Sequence, residues 1–139
     1  MEFNDIYDKD RKLTGRRHRR GTIWRKGEYG LVVCVWVYDG KGKLLLTRRA
    51  PEKSFAGTWE NSGGAVKAGE NSLQAITREL REETGIKAAP EEFELLCSAR
   101  DKNCHFDVEL SNGALNEKYT EYICTSWLWN FQHGPFSPF

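Results

Sequence analysis

The sequence predicts an α/β fold in which one helix packs on a mixed β-sheet. Three observations support this prediction: β-rich apolar runs come first, one amphipathic helical pattern follows near residues 72–84, and further β-rich runs come after it. Because strands flank a single helix along the chain, we expect that helix to cover a sheet built from both groups. A length of 139 residues is typical of one domain, so we predict a single domain over residues 1–139.

Before the helix, the sequence predicts short strands separated by turns. These strands are predicted at residues 3–7, 30–38, 43–49 and 59–66. The run GLVVCVWVY at 30–38 ends at Asp39-Gly40, a dipeptide typical of hairpins, so 43–49 is expected to return along it. Thr14-Gly15 predicts a turn, and Gly63-Gly64 predicts a tight bend.

The helix itself has clear predicted ends and a predicted buried face. Asn71 or Ser72 can cap its first turn, and Gly85 can end it in a left-handed conformation. Its apolar stripe consists of Leu73, Ile76 and Leu80. Later strands are predicted at residues 93–99, 104–110 and 121–131, with a turn at 111–113.

Three glutamates of the helix lie on another face. Glu79, Glu82 and Glu83 are related as i, i+3 and i+4, so they span an arc of about 100°. Like charges this close raise one another's pKa when nothing compensates them. A divalent cation over this face would compensate them, and hard oxygen ligands suit Mg²⁺ or Mn²⁺. The alternative interpretation is a solvated helix face with i,i+4 ion pairs.

These glutamates belong to a longer pattern, GAVKAGENSLQAITRELREETGI, at residues 64–86. The pattern resembles the signature of the Nudix hydrolases, Gx5Ex7REUxEExGU with U aliphatic, at every specified position. At average residue usage, chance would produce this match on the order of once in a billion starting points. The matching offsets of Gly64, Glu70 and Arg78 therefore favour a metal site over a solvated helix face.

The resemblance implies a Nudix-type α/β/α sandwich that hydrolyses a diphosphate linkage in a nucleoside diphosphate-linked or related organic diphosphate. It implies metal ligation by Glu79, Glu82, Glu83 and the Gly64 carbonyl, and catalytic roles for Glu79, Glu82 and Arg78. Arg78 is expected to orient the carboxylates by bidentate contact, and Glu70 either pairs with Arg78 or binds metal through water. The general base stays open between these carboxylates and the later Glu109, Glu117 and Glu121.

Arg48 and Arg49 are candidate substrate-binding residues. They follow a strand, where resembling proteins often place a basic residue against the substrate phosphate. Because neighbouring strand residues face opposite ways, we expect one of the two to do so. An exposed strand end is the alternative.

The N-terminal half is similar in style to the isopentenyl-diphosphate isomerase branch of the superfamily. Those isomerases carry a catalytic cysteine just after the tryptophan equivalent to Trp59, whereas Glu60, Asn61 and Ser62 follow it here. Protonating an alkene needs a positioned acid, so isomerase activity is disfavoured. A non-catalytic, nucleotide-binding Nudix module is a third alternative.

The C-terminal part departs from the family pattern. The second helix that normally closes the sandwich is not evident after residue 100. Trp127, Trp129 and Phe131 share one face of a predicted strand, which favours burial in the core or in a homodimer over stacking on a nucleobase.

Composition excludes several partners. The formal net charge is +1, and the basic stretch at 9–26 is explained by an aggregation-resistant edge strand better than by RNA binding. The four cysteines form no CxxC pair, and no apolar run reaches 18 residues. We therefore expect a cytoplasmic protein with reduced thiols, a small-molecule substrate and no membrane or nucleic-acid partner.

Overall fold

The computed structural model describes residues 1–38, 43–53, 55–101 and 121–130. The α-helix α1 covers Ser72–Thr84, and a short 3₁₀ helix covers Pro90–Glu92. The strands are β1 Phe3–Tyr7, β2 Leu13–Arg19, β3 Tyr29–Tyr38, β4 Leu44–Leu45, β5 Thr47–Arg48, β6 Trp59–Glu60, β7 Ser62–Ala65, β8 Phe93–Asp101 and β9 Glu121–Asn130. The predicted α/β class is confirmed.

The main sheet is mixed and centred on β3. Its strand order is β2-β1-β3-β9-β8, and β4 and β7 also pair with β3. Strands β3 and β9 run parallel from Tyr29 opposite Glu121 to Tyr38 opposite Asn130, whereas the other pairs are antiparallel. A separate two-stranded ribbon joins β5 to β6.

Helix α1 packs its predicted stripe into the core. Ile76 and Leu80 are fully buried together with Val33 and Val35 of β3, whereas Leu73 is partly buried at the margin. Burial of such side chains drives the docking of the helix, at about 1.5–3 kcal/mol for each fully buried side chain.

Both predicted helix ends are confirmed. The side chain of Asn71 accepts a hydrogen bond from the Gln74 backbone N–H at 2.8 Å, and the Gln74 side chain accepts one from the Asn71 N–H at 2.9 Å. This reciprocal pair is a capping box, which satisfies two N–H groups that the first turn leaves unpaired. At the other end, Gly85 adopts φ 75° and donates its N–H to the Arg81 carbonyl.

The turn predicted at Thr14-Gly15 is wrong, because both residues lie inside β2. The chain reverses earlier, where the Asp8 carboxylate accepts hydrogen bonds from the N–H groups of Asp10 and Lys12 at 2.9 Å. The glycine signal instead marks an irregularity in the β1–β2 register, and Gly15 takes φ 75° there. A local side-chain turn at an aspartate therefore formed in place of the predicted turn.

The predicted second arm of the hairpin is also divided. Leu44 and Leu45 return along β3 as expected, but Thr47 and Arg48 pair with β6 instead. The change of partner moves the residues after β4 away from the main sheet. The dipeptide Asp39-Gly40 lies outside the described residues.

The arginine-rich strand β2 lies at the edge of the sheet, as its composition predicted. The predicted strand at 104–110, the turn at 111–113 and the tail after residue 130 lie outside the described part of the chain, as do the side chains of Trp127 and Trp129. The homodimer contact and the missing second helix therefore stay predictions. In the described ranges, no helix has both the length and the apolar character needed to cross a membrane.

We expect Ile76→Ala to lower the free energy of unfolding by about 2–5 kcal/mol, because it leaves a cavity between α1 and β3. Chemical denaturation measures this change. Ile23→Ala is the matched control: Ile23 is 71% exposed, so its truncation should stay within about 0.5 kcal/mol of the wild type. Equal effects of the two substitutions would contradict the packing of α1 described above.

Candidate active site

A cleft of about 790 Å³ lies beside the exposed face of α1. Most of the residues predicted for the site line it, namely Arg48, Arg49, Gly64, Arg78, Glu79, Glu82 and Glu83. Two do not: Glu70 lies behind Arg78, and Gly85 ends the helix. The structure therefore brings the predicted catalytic, metal-binding and substrate-binding residues to one cavity.

Arg78 is the central donor of the hydrogen-bond network at this site. Its guanidinium donates to both oxygens of Glu70, at 2.8 and 2.9 Å, in a bidentate pair. It also donates to Glu79 at 2.7 Å, to Glu82 at 3.3 Å and to the Ala65 carbonyl at 3.3 Å. These hydrogen bonds hold the pKa of Glu70 below its ordinary value and raise the pKa of Arg78.

The two glycines of β7 allow α1 to approach the sheet closely. A Cβ atom added to Gly64 would lie 2.5 Å from Oε1 of Glu79, and one added to Gly63 would collide with the Val33 carbonyl. Both glycines pair regularly with β3, so the predicted tight bend at Gly63-Gly64 is absent. The glycines are needed for space, since any larger residue at position 64 would displace the Glu79 carboxylate.

Glu83 is the glutamate whose ionisation is most perturbed. Burial raises its pKa to about 7, and the neighbouring charge of Glu79 adds to this effect. The Gly63 N–H, which donates to Glu83 Oε2 at 3.1 Å, and the Ser62 side chain oppose it. Glu83 therefore keeps its proton to a higher pH than an ordinary glutamate does.

The three glutamates share the cleft without forming a closed cluster. Glu79 and Glu82 turn toward Arg78, whereas Glu83 turns toward the Gly63 backbone. Within the described ranges, no three Asp, Glu, His or Cys side chains stand close enough to hold a metal ion in their present rotamers. The donors still fit a hard divalent cation, because Glu79 and Glu82 each bond to Arg78 through one oxygen and keep the other outside that bond.

Arg48 and Arg49 both line the cleft, whereas strand alternation predicted one of the two. Arg49 lies just beyond the end of β5, where the alternation stops, and pairs with Glu60 at 2.6 Å. Arg48 donates to the Gly57 carbonyl at 3.1 Å and lies 5.9 Å from the centre of the Trp59 ring. The loop thus fixes two cations at the edge of the cleft.

Sequence reasoning missed one end of the cleft, which β1, β2 and the following turn form. Asn4, His18 and Trp24 line it, and none of them is among the residues that the sequence predicted for the site. The His18 ring stacks on Trp24 with centroids 3.7 Å apart. The signal available in the sequence was weak, because Asn4 and His18 become neighbours only through the β1–β2 register.

Comparison with known proteins identifies the family. A model of the NUDIX domain matches residues 28–122, which is most of the chain. This chain belongs to the Nudix family. The matched range includes β3, the loop after β5, both glycines of β7 and the whole of α1.

Individual relatives agree with this assignment. An uncharacterized Nudix hydrolase of Listeria monocytogenes is 39% identical over 88 residues, or 62% of this chain and 52% of that protein. An isopentenyl-diphosphate Delta-isomerase of Escherichia coli is 41% identical over 64 residues, or 45% of this chain and 35% of the enzyme. The resemblance to the isomerase-like branch is thereby confirmed, and the Nudix chain spans about half the length of several curated relatives that it matches.

Solved structures support the fold. The crystal structure of DR0079 from Deinococcus radiodurans matches with a TM-score of 0.66 at 21% identity, over 99% of this chain and 76% of that one. At this identity the likeness extends to the fold alone.

We expect the metal-free protein to lose stability as pH rises from about 5 to 7. Glu83 has a folded pKa of about 7 against 4.5 in the unfolded chain, so the native state holds the extra proton between these values. Stability from this group is complete below pH 4.5 and is lost as pH approaches 7. Melting temperatures measured across this range, with a chelator present, test this prediction.

The control for this prediction is a charge-removing change elsewhere. Glu83→Gln should flatten the pH slope, whereas Glu91→Gln, on the exposed 3₁₀ helix, should keep the wild-type slope. A Glu83→Gln protein with the wild-type slope would show that another group titrates.

Proposed function

We propose that this Nudix protein hydrolyses a diphosphate linkage in a nucleoside diphosphate-linked or related organic diphosphate, with Mg²⁺ or Mn²⁺ as its cofactor. The observation that carries the proposal is the convergence of the α1 carboxylates and the Arg48–Arg49 pair on one cleft. A diphosphate needs positive charge around its oxygens, and its cleavage needs an activated water.

In this proposal, Glu79, Glu83 and the Gly64 carbonyl would hold the metal directly, whereas Glu82 would contact it through the water that it activates. When bound, the metal neutralises diphosphate charge and lowers the pKa of a bound water. Gly64 contributes by its lack of a side chain, which leaves room for the Glu79 carboxylate. Loss of the proton from Glu83 accompanies metal binding, so metal affinity rises with pH up to about 7.

Arg78 acts as a positioning residue. It is anchored on Glu70 through two parallel hydrogen bonds, and its remaining N–H groups hold Glu79 and Glu82. Rigid placement of the carboxylates matters because phosphoryl transfer depends chiefly on positioning and electrostatics.

Glu82 is our choice for the general base among the glutamates whose side chains are described. Its side chain is 56% exposed, against 14% for Glu79, so water reaches it more easily than it reaches Glu79. Its Oε1 lies outside the hydrogen bond to Arg78 and can accept a proton from water. Glu109, Glu117 and the side chain of Glu121 lie outside the described residues.

Arg48 and Arg49 are proposed to bind the substrate phosphates. Arg49 is held by Glu60 and Arg48 by the Gly57 carbonyl, so neither side chain must be ordered from a freely rotating state when substrate binds. Pre-ordered cations lower the entropic cost of binding.

Isomerisation is the second candidate, favoured by the similarity to the isopentenyl-diphosphate Delta-isomerase of Escherichia coli. The thiol expected for that reaction is absent after Trp59, where Glu60 instead forms an ion pair with Arg49. A panel of nucleoside diphosphate compounds and isopentenyl diphosphate, with Mg²⁺, Mn²⁺ or chelator, separates the two. Metal-dependent release of nucleoside monophosphate or phosphate supports hydrolysis, whereas isomerised product without such release overturns it.

We expect Glu83→Gln to lower turnover by several orders of magnitude with the fold intact, because a neutral amide replaces a metal-binding carboxylate. In a melting scan, free metal at 100 times its dissociation constant should stabilise the wild type by about 2.7 kcal/mol. Glu83→Gln should show much less stabilisation, and Glu91→Gln should match the wild type. A folded Glu83→Gln protein with wild-type turnover would remove Glu83 from the metal site.

We expect Arg78→Lys to lower kcat by roughly 10–100-fold with little change in KM, since lysine keeps the charge but lacks the planar fork that binds Glu70. The control is Arg81→Lys, an exposed position on the same helix. Steady-state kinetics distinguishes the roles: a large rise in KM at unchanged kcat would mean that Arg78 binds substrate.

A further inference from the structure

The cleft also contains two buried polar side chains that the proposed reaction does not use. Asn4 of β1 and His18 of β2 are direct cross-strand partners, and each is only 6% exposed. Both residues line the same cleft as the glutamates. Polar side chains at this depth are normally fully hydrogen-bonded, so their partners can be counted atom by atom.

One of the two polar atoms of the Asn4 side chain has a hydrogen-bond partner. Its Nδ2 donates to the Val66 carbonyl at 2.7 Å, and this bond fixes the orientation of the amide because a carbonyl oxygen only accepts. The Oδ1 atom is therefore an acceptor. Within the described ranges, no donor is found for it.

The tautomer of His18 follows from its neighbour Thr22. The Thr22 hydroxyl donates its single hydrogen to the Arg19 carbonyl at 2.8 Å. Its oxygen also lies 3.4 Å from Nε2 of His18, so we assign the hydrogen of this longer contact to Nε2. The neutral ring then has a bare acceptor at Nδ1, and the described part of the chain supplies no partner for that atom.

An aromatic surface accompanies these two acceptors. Trp24 stacks on His18 with an angle of 13° between the rings, and it lines the cleft while remaining partly exposed. The stack holds the imidazole in one plane, so the Nδ1 acceptor has a fixed direction. A flat ligand beside this pair would meet both an aromatic surface and two acceptors.

Two adjacent acceptors fit a primary amine on an aromatic ring. An exocyclic amine nitrogen has two N–H bonds and, at about 2.9 Å from each partner, reaches acceptors about 5 Å apart. Asn4 and His18 are directly opposed on neighbouring strands, so their side chains leave the same face of the sheet with Cβ atoms about 4.5–5.5 Å apart, which brings both acceptors within reach of one ligand. A keto oxygen at the same place would face two acceptors and be repelled.

The distance from the diphosphate site also suits a nucleotide. Asn4 is bonded to Val66, two residues along the chain from Gly64, or roughly 7 Å at the rise of a strand. Between them, the Ala65 carbonyl accepts a hydrogen bond from Arg78. The cleft volume lies within the range typical of small-molecule sites, about 300–1,000 Å³.

We propose that Asn4, His18 and Trp24 form a subsite for an amino-bearing nucleobase, so that the substrate is a cytosine, adenine or guanine nucleotide and not a uracil or hypoxanthine nucleotide. The inference rests on the proposed hydrolysis of a nucleoside diphosphate linkage and names its substrate class.

Matched substrate pairs test this subsite. With Mg²⁺ and Mn²⁺, kcat/KM is measured for CTP against UTP and for ATP against ITP, following the released nucleotide. Because a site with buried acceptors discriminates against a ligand that lacks the donors, we expect at least a tenfold preference for the amino-bearing member. A preference below twofold in both base pairs overturns the subsite.

Substitutions of His18 and Asn4 test whether these residues cause the preference for an amino-bearing base. His18→Phe keeps a ring on Trp24 but removes Nδ1, and it should reduce the CTP/UTP ratio at least fivefold, chiefly by weakening CTP. Asn4→Ala removes the other acceptor, and it replaces His18→Phe in the test if that variant does not fold. Arg19→Ala is the control, because Arg19 is the exposed neighbour of His18 in β2. A ratio that survives in both folded variants contradicts the assignment.

A binding measurement separates this inference from the proposed reaction. The dissociation constants of CMP and UMP, measured by calorimetry with chelator present, do not depend on turnover. If no nucleotide is hydrolysed but CMP binds at least tenfold more tightly than UMP and His18→Phe removes the difference, the reaction fails and the subsite stands. Hydrolysis of CTP and UTP at equal rates, with equal binding of CMP and UMP, overturns the subsite and leaves the reaction standing.

Discussion

The hydrogen-bonded group around Arg78 is the interaction on which the arrangement of the site depends. One guanidinium binds Glu70 before the helix, Glu79 and Glu82 within it, and the Ala65 carbonyl of β7. It therefore ties the helix to the sheet through the same groups that face the cleft. Because its charge compensates Glu70, Glu79 and Glu82 at once, it reduces the repulsion between these carboxylates, and the pKa of Glu70 stays low.

Glu83 is the part of the acidic face that Arg78 does not compensate. It is bonded to the Gly63 N–H, and burial holds its pKa near 7. Among the three glutamates, Glu79 and Glu82 are thus compensated by a guanidinium, whereas Glu83 is partly neutralised by a proton. In the proposed metal site, a bound cation would displace this proton, which would make metal binding depend on pH.

The central strand β3 links the two ends of the cleft. It pairs with β7, which carries the glycines beneath Glu79, and with β1, which carries Asn4. The β7 glycines beneath Glu79 and the Asn4–His18 pair therefore lie on one continuous sheet, on which α1 is docked through Ile76 and Leu80. A sheet of this kind holds chemical groups from distant parts of the chain at fixed separations, which loops do less well.

The sequence by itself determined the features that local chemistry controls. The capping box at Asn71, the left-handed stop at Gly85 and the buried stripe of α1 follow from neighbours within one or two helical turns, and the 64–86 pattern identified the family. Tertiary structure decided what depends on pairing. Register placed Asn4 opposite His18, close approach to Glu79 explained Gly64, and a change of strand partner separated Thr47–Arg48 from Leu44–Leu45. Such contacts join residues far apart in the chain, and their free energy is realised only when the whole sheet has formed, so local sequence carries little signal for them.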